Sequence, residues 1–176
     1  MKHQKLEELI QFALGKNVTR LKNSGSTIYT PEDFEMDLHS INQSEKASEC
    51  IISMIKSKAA PVSKETANLC ITSNFLKCSF DPDILDPWYF CYQFNRGREI
   101  EEQIVRYHQG NTLSVKKLTV QSISGLSIPL LEIEQQRIVG NLYRQAIIQK
   151  DLFQQQAENI MNMTMATQRK SRLCGI

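Results

Sequence analysis

The chain has 176 residues, 21 lysines and arginines against 19 acids, 41% apolar and 23% charged residues, 7 glycines and 5 prolines. These are the proportions of an ordinary folded protein, which excludes disorder, collagen and low-complexity repeats. A net charge of +2 is too small to announce a nucleic-acid partner by itself, and the length suits one core with a helical appendage.

No run reaches the roughly 18 apolar residues of a bilayer span, so no membrane is expected. Glu7 and Glu8 stand where a secretory leader needs its apolar core. Cys50, Cys70, Cys78, Cys91 and Cys174 include no C-x-x-C pair and read as reduced thiols of a cytoplasmic protein. His3, His39 and His108 are scattered, so neither a metal nor another cofactor is expected.

In chain order, Leu6, Leu9, Ile10 and Ala13 fall at i, i+3, i+4 and i+7, which predicts a short helix with Gly15 at its C-terminal cap. A polar connection bearing Lys16, Arg20 and Lys22 follows. Thr30-Pro31-Glu32-Asp33 places a capping hydroxyl, a proline at the first helical position and acids in the first turn, so a second helix starts there. Cys50 to Ile55, Leu69 to Thr72 and Phe75 to Phe80 are short β-branched or alternating runs that read as strands. Lys46, Lys56, Lys58, Lys64 and Lys77 make this region locally basic; a solvated lysine surface explains them as well as a binding patch does.

Asp86-Pro87 starts a helix carrying Trp88, Tyr89, Phe90, Cys91, Tyr92 and Phe94. Its aromatics invite a base-stacking role, but a run apolar on nearly every face is better explained by burial on several sides. Ile100, Ile104 and Val105 predict a further amphipathic helix ending at Gly110. Leu113 to Val115 and Leu126 to Ile128 are strand candidates, with Pro129 barring a helix before it.

From Glu132 to about Gln168 there is no proline and one glycine, the composition of a long helix. At about 1.5 Å per residue it would span roughly 55 Å, more than a domain of this size is wide. Val139, Leu142, Ala146, Gln149, Phe153, Gln156, Ile160 and Met163 form a heptad seam along it. An exposed apolar stripe needs a partner helix, and self-association is the simplest solution; the alternative is that the helix folds back on its own domain. The expected fold class is α+β: a globular domain over 1–130, a pairing helix over 131–170 and a tail over 171–176.

Gly110-Asn111-Thr112-Leu113-Ser114-Val115-Lys116-Lys117-Leu118, Ile128-Pro129-Leu130 and Glu134-Gln135-Gln136-Arg137-Ile138-Val139 resemble the end of a target-recognition domain and the start of the conserved helix in type I restriction-modification specificity subunits. Lys5-Leu6-Glu7-Glu8-Leu9 with Gly15-Lys16, and Leu85-Asp86-Pro87-Trp88-Tyr89-Phe90 with Asn95, resemble that family's opening and its Asp-Pro-x-Tyr-Leu helix. Leu131 stands near where the family's second proline is usual. The resemblance runs over nearly the whole chain, and the order of the motifs is more specific than any one of them.

Such subunits usually carry two recognition domains and two conserved helices; this sequence is similar to half of one. The resemblance implies a non-catalytic dimer whose long helices pair antiparallel, setting two recognition domains at opposite ends to bind the inverted-repeat halves of an interrupted site on double-stranded DNA, and which directs methyltransferase and motor-endonuclease subunits. It names no contact residue. On general grounds phosphates are held by basic side chains and base edges are read by Arg, Lys, Asn or Gln. The candidates are Lys16, Arg20, Lys22, Lys56, Lys58, Lys77, Arg96, Arg98, Gln109 and Asn111. A dimerising adaptor or assembly regulator that pairs with a full-length specificity subunit, without reading DNA, is the other reading.

Overall fold

A computed structural model describes residues 2–19, 25, 27–39, 48–109 and 118–173, with the side chains of residues 2, 107–109 and 169–173 left aside. Two small antiparallel sheets and a set of helices precede one long helix. The strands are β1 (Lys2–Lys5), β2 (Gln11–Leu14), β3 (Glu49–Ser53), β4 (Lys58–Pro61), β5 (Phe75–Ser79) and β6 (Ser127–Leu130). The helices are α1 (Leu6–Leu9), α2 (Pro31–His39), α3 (Pro87–Arg96), α4 (Arg98–Gln109), α5 (Val120–Ser124) and α6 (Ile133–Leu173). Mixed strands and helices with a long C-terminal helix make this the expected α+β class.

The four-stranded sheet runs in the order β2-β5-β3-β4. Side chains alternate across it, so each face has its own core. Cys50, Ile52, Ala59, Leu76 and Cys78 point to α3 and pack with Phe90, Cys91 and Phe94. Ile51, Ala60 and Phe75 point the other way, to Tyr29, Phe34 and Leu38 on and before α2. The aromatic helix is thus core, with Trp88, Tyr89, Phe90, Cys91 and Phe94 all buried.

Helix starts are where the side-chain chemistry sets them. Thr30 Oγ1 accepts from the Asp33 amide at 3.2 Å while the Asp33 carboxylate accepts from the Thr30 amide at 2.7 Å, a reciprocal cap on α2. Asp86 caps α3 by accepting from the Tyr89 amide at 2.7 Å.

Three expectations are corrected. Residues 6–13 are not one helix: a single turn, α1, buries Leu6 and Ile10, and the chain then extends as β2 because residues 11–14 pair with 76–79 of β5. Gly15 is accordingly no helix cap. It lies under the backbone of the neighbouring loop, where an added Cβ would stand 2.6 Å from the Ile71 carbonyl oxygen. Among the described residues, Leu69 to Thr72 makes only single parallel bridges, Cys70 to Ile28 and Thr72 to Lys16, with turns on either side of the segment. The strand β4 was not expected from Lys58-Ala-Ala-Pro61, which has weak strand propensity; it forms as an edge strand on β3, the position where proline is tolerated. Leu113 to Val115 lies outside the described residues.

The ends of the domain meet. β1 pairs antiparallel with β6, Lys2 opposite Leu130 and Lys5 opposite Ser127, so the first strand fixes the segment from which α6 departs. Tyr89 ties this pair to α3 by donating its hydroxyl to the Pro129 carbonyl at 2.6 Å.

Candidate nucleic-acid interface and pairing helix

The long helix has 41 residues, about 60 Å at 1.5 Å per residue, and its two ends behave differently. The first half docks on its own domain. Gln136, 1% exposed, accepts from the Asp86 amide at 3.0 Å and donates to the carbonyls of Ile84 at 3.0 Å and Leu131 at 2.8 Å. Gly140 passes so close to α3 that a Cβ there would meet the Tyr89 amide nitrogen. Tyr143 packs edge-on against Trp88 and tilted against Tyr92, at centroid distances of 6.3 and 5.7 Å, and accepts from Asn95 Nδ2 at 3.1 Å. Val139 and Ile147 pack on the core, and His39 at the end of α2 binds the Asp151 carboxylate. Burial pushes the Asp86 carboxyl up from its ordinary value, opposed by the Tyr89 and Trp88 amides and by the charge on Arg137.

The opposite face is open. Ile138, Leu142, Phe153, Ile160 and Met163 are 63, 65, 69, 58 and 71% exposed, and Ala146, Gln149 and Gln156 are exposed between them. Of the seam expected from sequence only Val139 turns inward, onto the chain's own core. From Leu152 to Gln168 every side chain of α6 is exposed, so this half projects beyond the domain. Beside the docked half, a groove of about 620 Å³ is bounded by Asp86 and Trp88 on one wall and Arg137, Ile138, Asn141 and Leu142 on the other. Arg144 closes its end over the Trp88 ring at 5.9 Å.

The docking residues were not read from sequence. Gly140 was the available signal: the one glycine inside a long helical run marks a place where backbone approaches backbone.

Among the described residues, the candidate DNA contacts do not gather into one patch. Lys58 and Lys77 lie on the sheet face that carries α2, since Lys77 pairs with Ile51 and Lys58 alternates with Ala60. Lys77 is held by Glu49 at 2.8 Å, and Lys56 in the β3–β4 turn pairs with Glu35 of α2. Lys16, just after β2, is exposed. Arg96 and Arg98 stand at the α3–α4 junction, on the other face; Arg98 pairs with Glu102 at 2.9 Å, and Arg96 is exposed beside the Tyr143 hydroxyl. Arg20, Lys22 and Asn111 lie outside the described residues, as does the side chain of Gln109. Among the described residues no helix is long and apolar enough to cross a membrane.

No family model matches the chain, and no curated protein matches it. Among solved structures it is similar to the HsdS subunit from Thermoanaerobacter tengcongensis, with a TM-score of 0.55 and 18% identity over 89% of this chain and 39% of that one. It is equally similar, at a TM-score of 0.55 and 16% identity over 96% of this chain and 42% of the other, to a structure described as showing complex assembly and conformational transition of the type I R-M system. The chain spans about two fifths of the length of each. At these identities the likeness is one of fold: the chain has the fold of a part of an HsdS-type subunit.

Proposed function

We propose that the chain is a half-size DNA specificity subunit of a type I restriction-modification system. In this reading residues 1–130 are a target-recognition domain, 131–170 the conserved helix and 171–176 a tail. Two copies pair through α6 to bind an interrupted site on double-stranded DNA. The chain itself is non-catalytic; it directs separate methyltransferase and motor-endonuclease subunits in the cytoplasm.

The observation that carries this reading is the open stripe on a projecting helix within an HsdS-type fold. Covering each of Leu142, Phe153, Ile160 and Met163 is worth about 1–2 kcal/mol, and association costs about 4–15 kcal/mol. One or two contacts would not hold a dimer; a stripe covered along its length on both copies does. A two-fold dimer presents two identical recognition domains, so the DNA half-sites form an inverted repeat. Phosphate contacts from the candidate lysines and arginines make binding salt-dependent.

The test is selection from random duplexes by the chain reconstituted with a type I methyltransferase subunit. The expected product is an interrupted inverted repeat whose affinity falls steeply between about 50 and 200 mM salt. A pool that stays random, or binding indifferent to salt, would overturn the assignment; a complex that forms on the helix without binding DNA would mark an assembly regulator instead.

A further inference from the structure

The long helix is held by its own domain at two levels. The first is the seat on α3 at Gln136, Gly140 and Tyr143, followed by Ile147, which packs against both cores. The second comes from α2, on the opposite face of the sheet. Nδ1 of His39 binds the Asp151 carboxylate of α6, while Nε2 of the same ring faces the Glu35 carboxylate, one turn back on α2, at 3.5 Å. Glu35 is bound in turn by Lys56 of the β3–β4 turn. With a proton on each nitrogen the His39 ring donates to both carboxylates, and Lys56, Glu35, His39 and Asp151 form a row of alternating charge from the sheet to the long helix.

The position of this row gives it a mechanical meaning. His39 is the last residue of α2, where the helix dipole favours a cation, and Glu35 shares its helix face at i−4. The Asp151 side chain is 20% exposed, and every side chain from Leu152 to Gln168 is exposed, so Asp151 stands where α6 leaves the domain. Beside it the end of α2 and α6 flank a hollow of about 420 Å³, so apolar packing does not fill the join and the ion pair bridges it. An ion pair this accessible adds little to stability; what it supplies is a fixed distance. From Gly140 the lever to Ile147 is about 10 Å and the lever to Asp151 about 16 Å, at 1.5 Å per residue. Each ångström of play at the last contact therefore becomes about 3 Å at Leu173 with the His39 contact and about 5 Å without it.

We propose that His39 is a positioning residue: by holding Asp151 it fixes the angle at which α6 leaves the domain, and with it the spacing at which paired domains meet DNA. The second half of this role rests on the DNA reading above; the first half is a property of the single chain. A looser seat shifts each domain by ångströms, the scale of the ~3.4 Å step between base pairs. Loss of His39 thus changes the permitted spacer and leaves the bases read in each half-site alone.

Nitroxide pairs read the angle directly. Lys64→Cys, in the exposed loop that Ser63 and Thr66 tie to Asp37 of α2, and Asn162→Cys, on the free half of α6, carry the labels in a Cys70→Ser, Cys174→Ser background. Labelled chain is diluted with unlabelled chain, so that pulsed electron paramagnetic resonance reports distances within one molecule. The distance distribution is expected to broaden about 1.6-fold, the ratio of the two levers, in His39→Ala and in Asp151→Asn. It is expected to stay narrow in His39→Lys, whose ammonium still meets Asp151. Unchanged width in both His39→Ala and Asp151→Asn would overturn the proposal, and so would a His39→Lys chain as broad as His39→Ala, which would leave His39 a packing role only. In the DNA selection, His39→Ala is expected to keep the half-sites of the unmodified chain and to accept spacers one base pair longer and shorter. A spacer that stays single while the distances broaden would overturn the link to DNA spacing. Distances that respond as expected in a chain that selects no interrupted site would support the His39 contact and overturn the DNA reading instead.

Discussion

A Cβ placed on Gly140 would lie 2.7 Å from the amide nitrogen of Tyr89 and 2.9 Å from the Cβ of Trp88. The long helix therefore runs along the first turn of α3 at backbone distance, and the position has no room for a side chain. Gly140→Ala should destabilise the protein by about 1–3 kcal/mol, the usual cost of overpacking. Helix propensity alone predicts the opposite sign, a gain of about 1 kcal/mol. Urea unfolding followed by circular dichroism distinguishes the two, and a more stable Gly140→Ala chain would show that α6 does not seat on α3.

Two glutamines of the same helix should respond oppositely to leucine. Gln136 is buried and makes three hydrogen bonds to backbone groups of the turn before α3 and the strand exit after β6. Gln136→Leu strands those groups, at about 1–3 kcal/mol for each one left without a partner, and should lower the unfolding midpoint sharply. Gln149 is exposed in the open stripe. Gln149→Leu should leave the domain's stability unchanged and tighten self-association, read as a dimer dissociation constant by sedimentation.

Alkaline titration should find Tyr29, Tyr89 and Tyr143 ionising late. Burial raises the Tyr29, Tyr89 and Tyr143 phenols above their ordinary value of 10.0, and at Tyr29 the Asp37 carboxylate, which accepts its hydroxyl at 2.8 Å, adds to the shift. A raised folded value means the neutral phenol contributes stability that is fully present below pH about 10 and is lost as pH rises toward the folded values. Phenolate absorbance from these three rings should therefore develop above the ordinary tyrosine range, coinciding with loss of the circular dichroism signal. A single stage with an ordinary midpoint would place these rings in water.

The parts of the fold that were legible in the sequence are those set by local chemistry. Asp86-Pro87 and Thr30-Pro31 are helix starts because a cap and a fixed φ act within four residues, and both are found in place. The aromatic run after Pro87 is legible as core because it leaves no helix face polar, and Trp88, Tyr89, Phe90, Cys91 and Phe94 are buried. What was not legible depends on distant pairing. Leu6 to Ala13 has a helical period, yet its second half is drawn into a ladder by β5, more than 60 residues away. The strand β4 exists because β3 offers an edge, not because Ala59 and Ala60 favour extension. Along α6 the heptad seam predicts one apolar stripe; the structure has two faces, an inward one through Gln136, Gly140, Tyr143 and Ile147 and an outward one from Leu142 onward. Their polar and small members, Gln136 and Gly140, conceal the inward face from a hydrophobic period. For the candidate DNA contacts, the basic stretch from Lys46 to Lys77 groups residues by sequence, whereas the sheet distributes Lys58 and Lys77 to one face and the α3–α4 junction sets Arg96 and Arg98 on the other.

The division of α6 into two faces gives the last test a built-in control. Leu142 and Phe153 are 65% and 69% exposed and touch little of their own domain, so replacing both with glutamine should leave the unfolding midpoint of the domain where it is. Four apolar side chains, two from each copy, would then be missing from the paired stripe. At about 1 kcal/mol each, the dimer dissociation constant should rise roughly a thousandfold, and sedimentation at micromolar concentration should find a monomer. Val139→Gln should do the reverse, because Val139 packs on the chain's own core: the domain loses stability first, and association weakens only as folding does. If Leu142→Gln with Phe153→Gln unfolds the domain while Val139→Gln leaves it intact, the inward and outward faces have been exchanged, and with them the surface on which a second copy would lie.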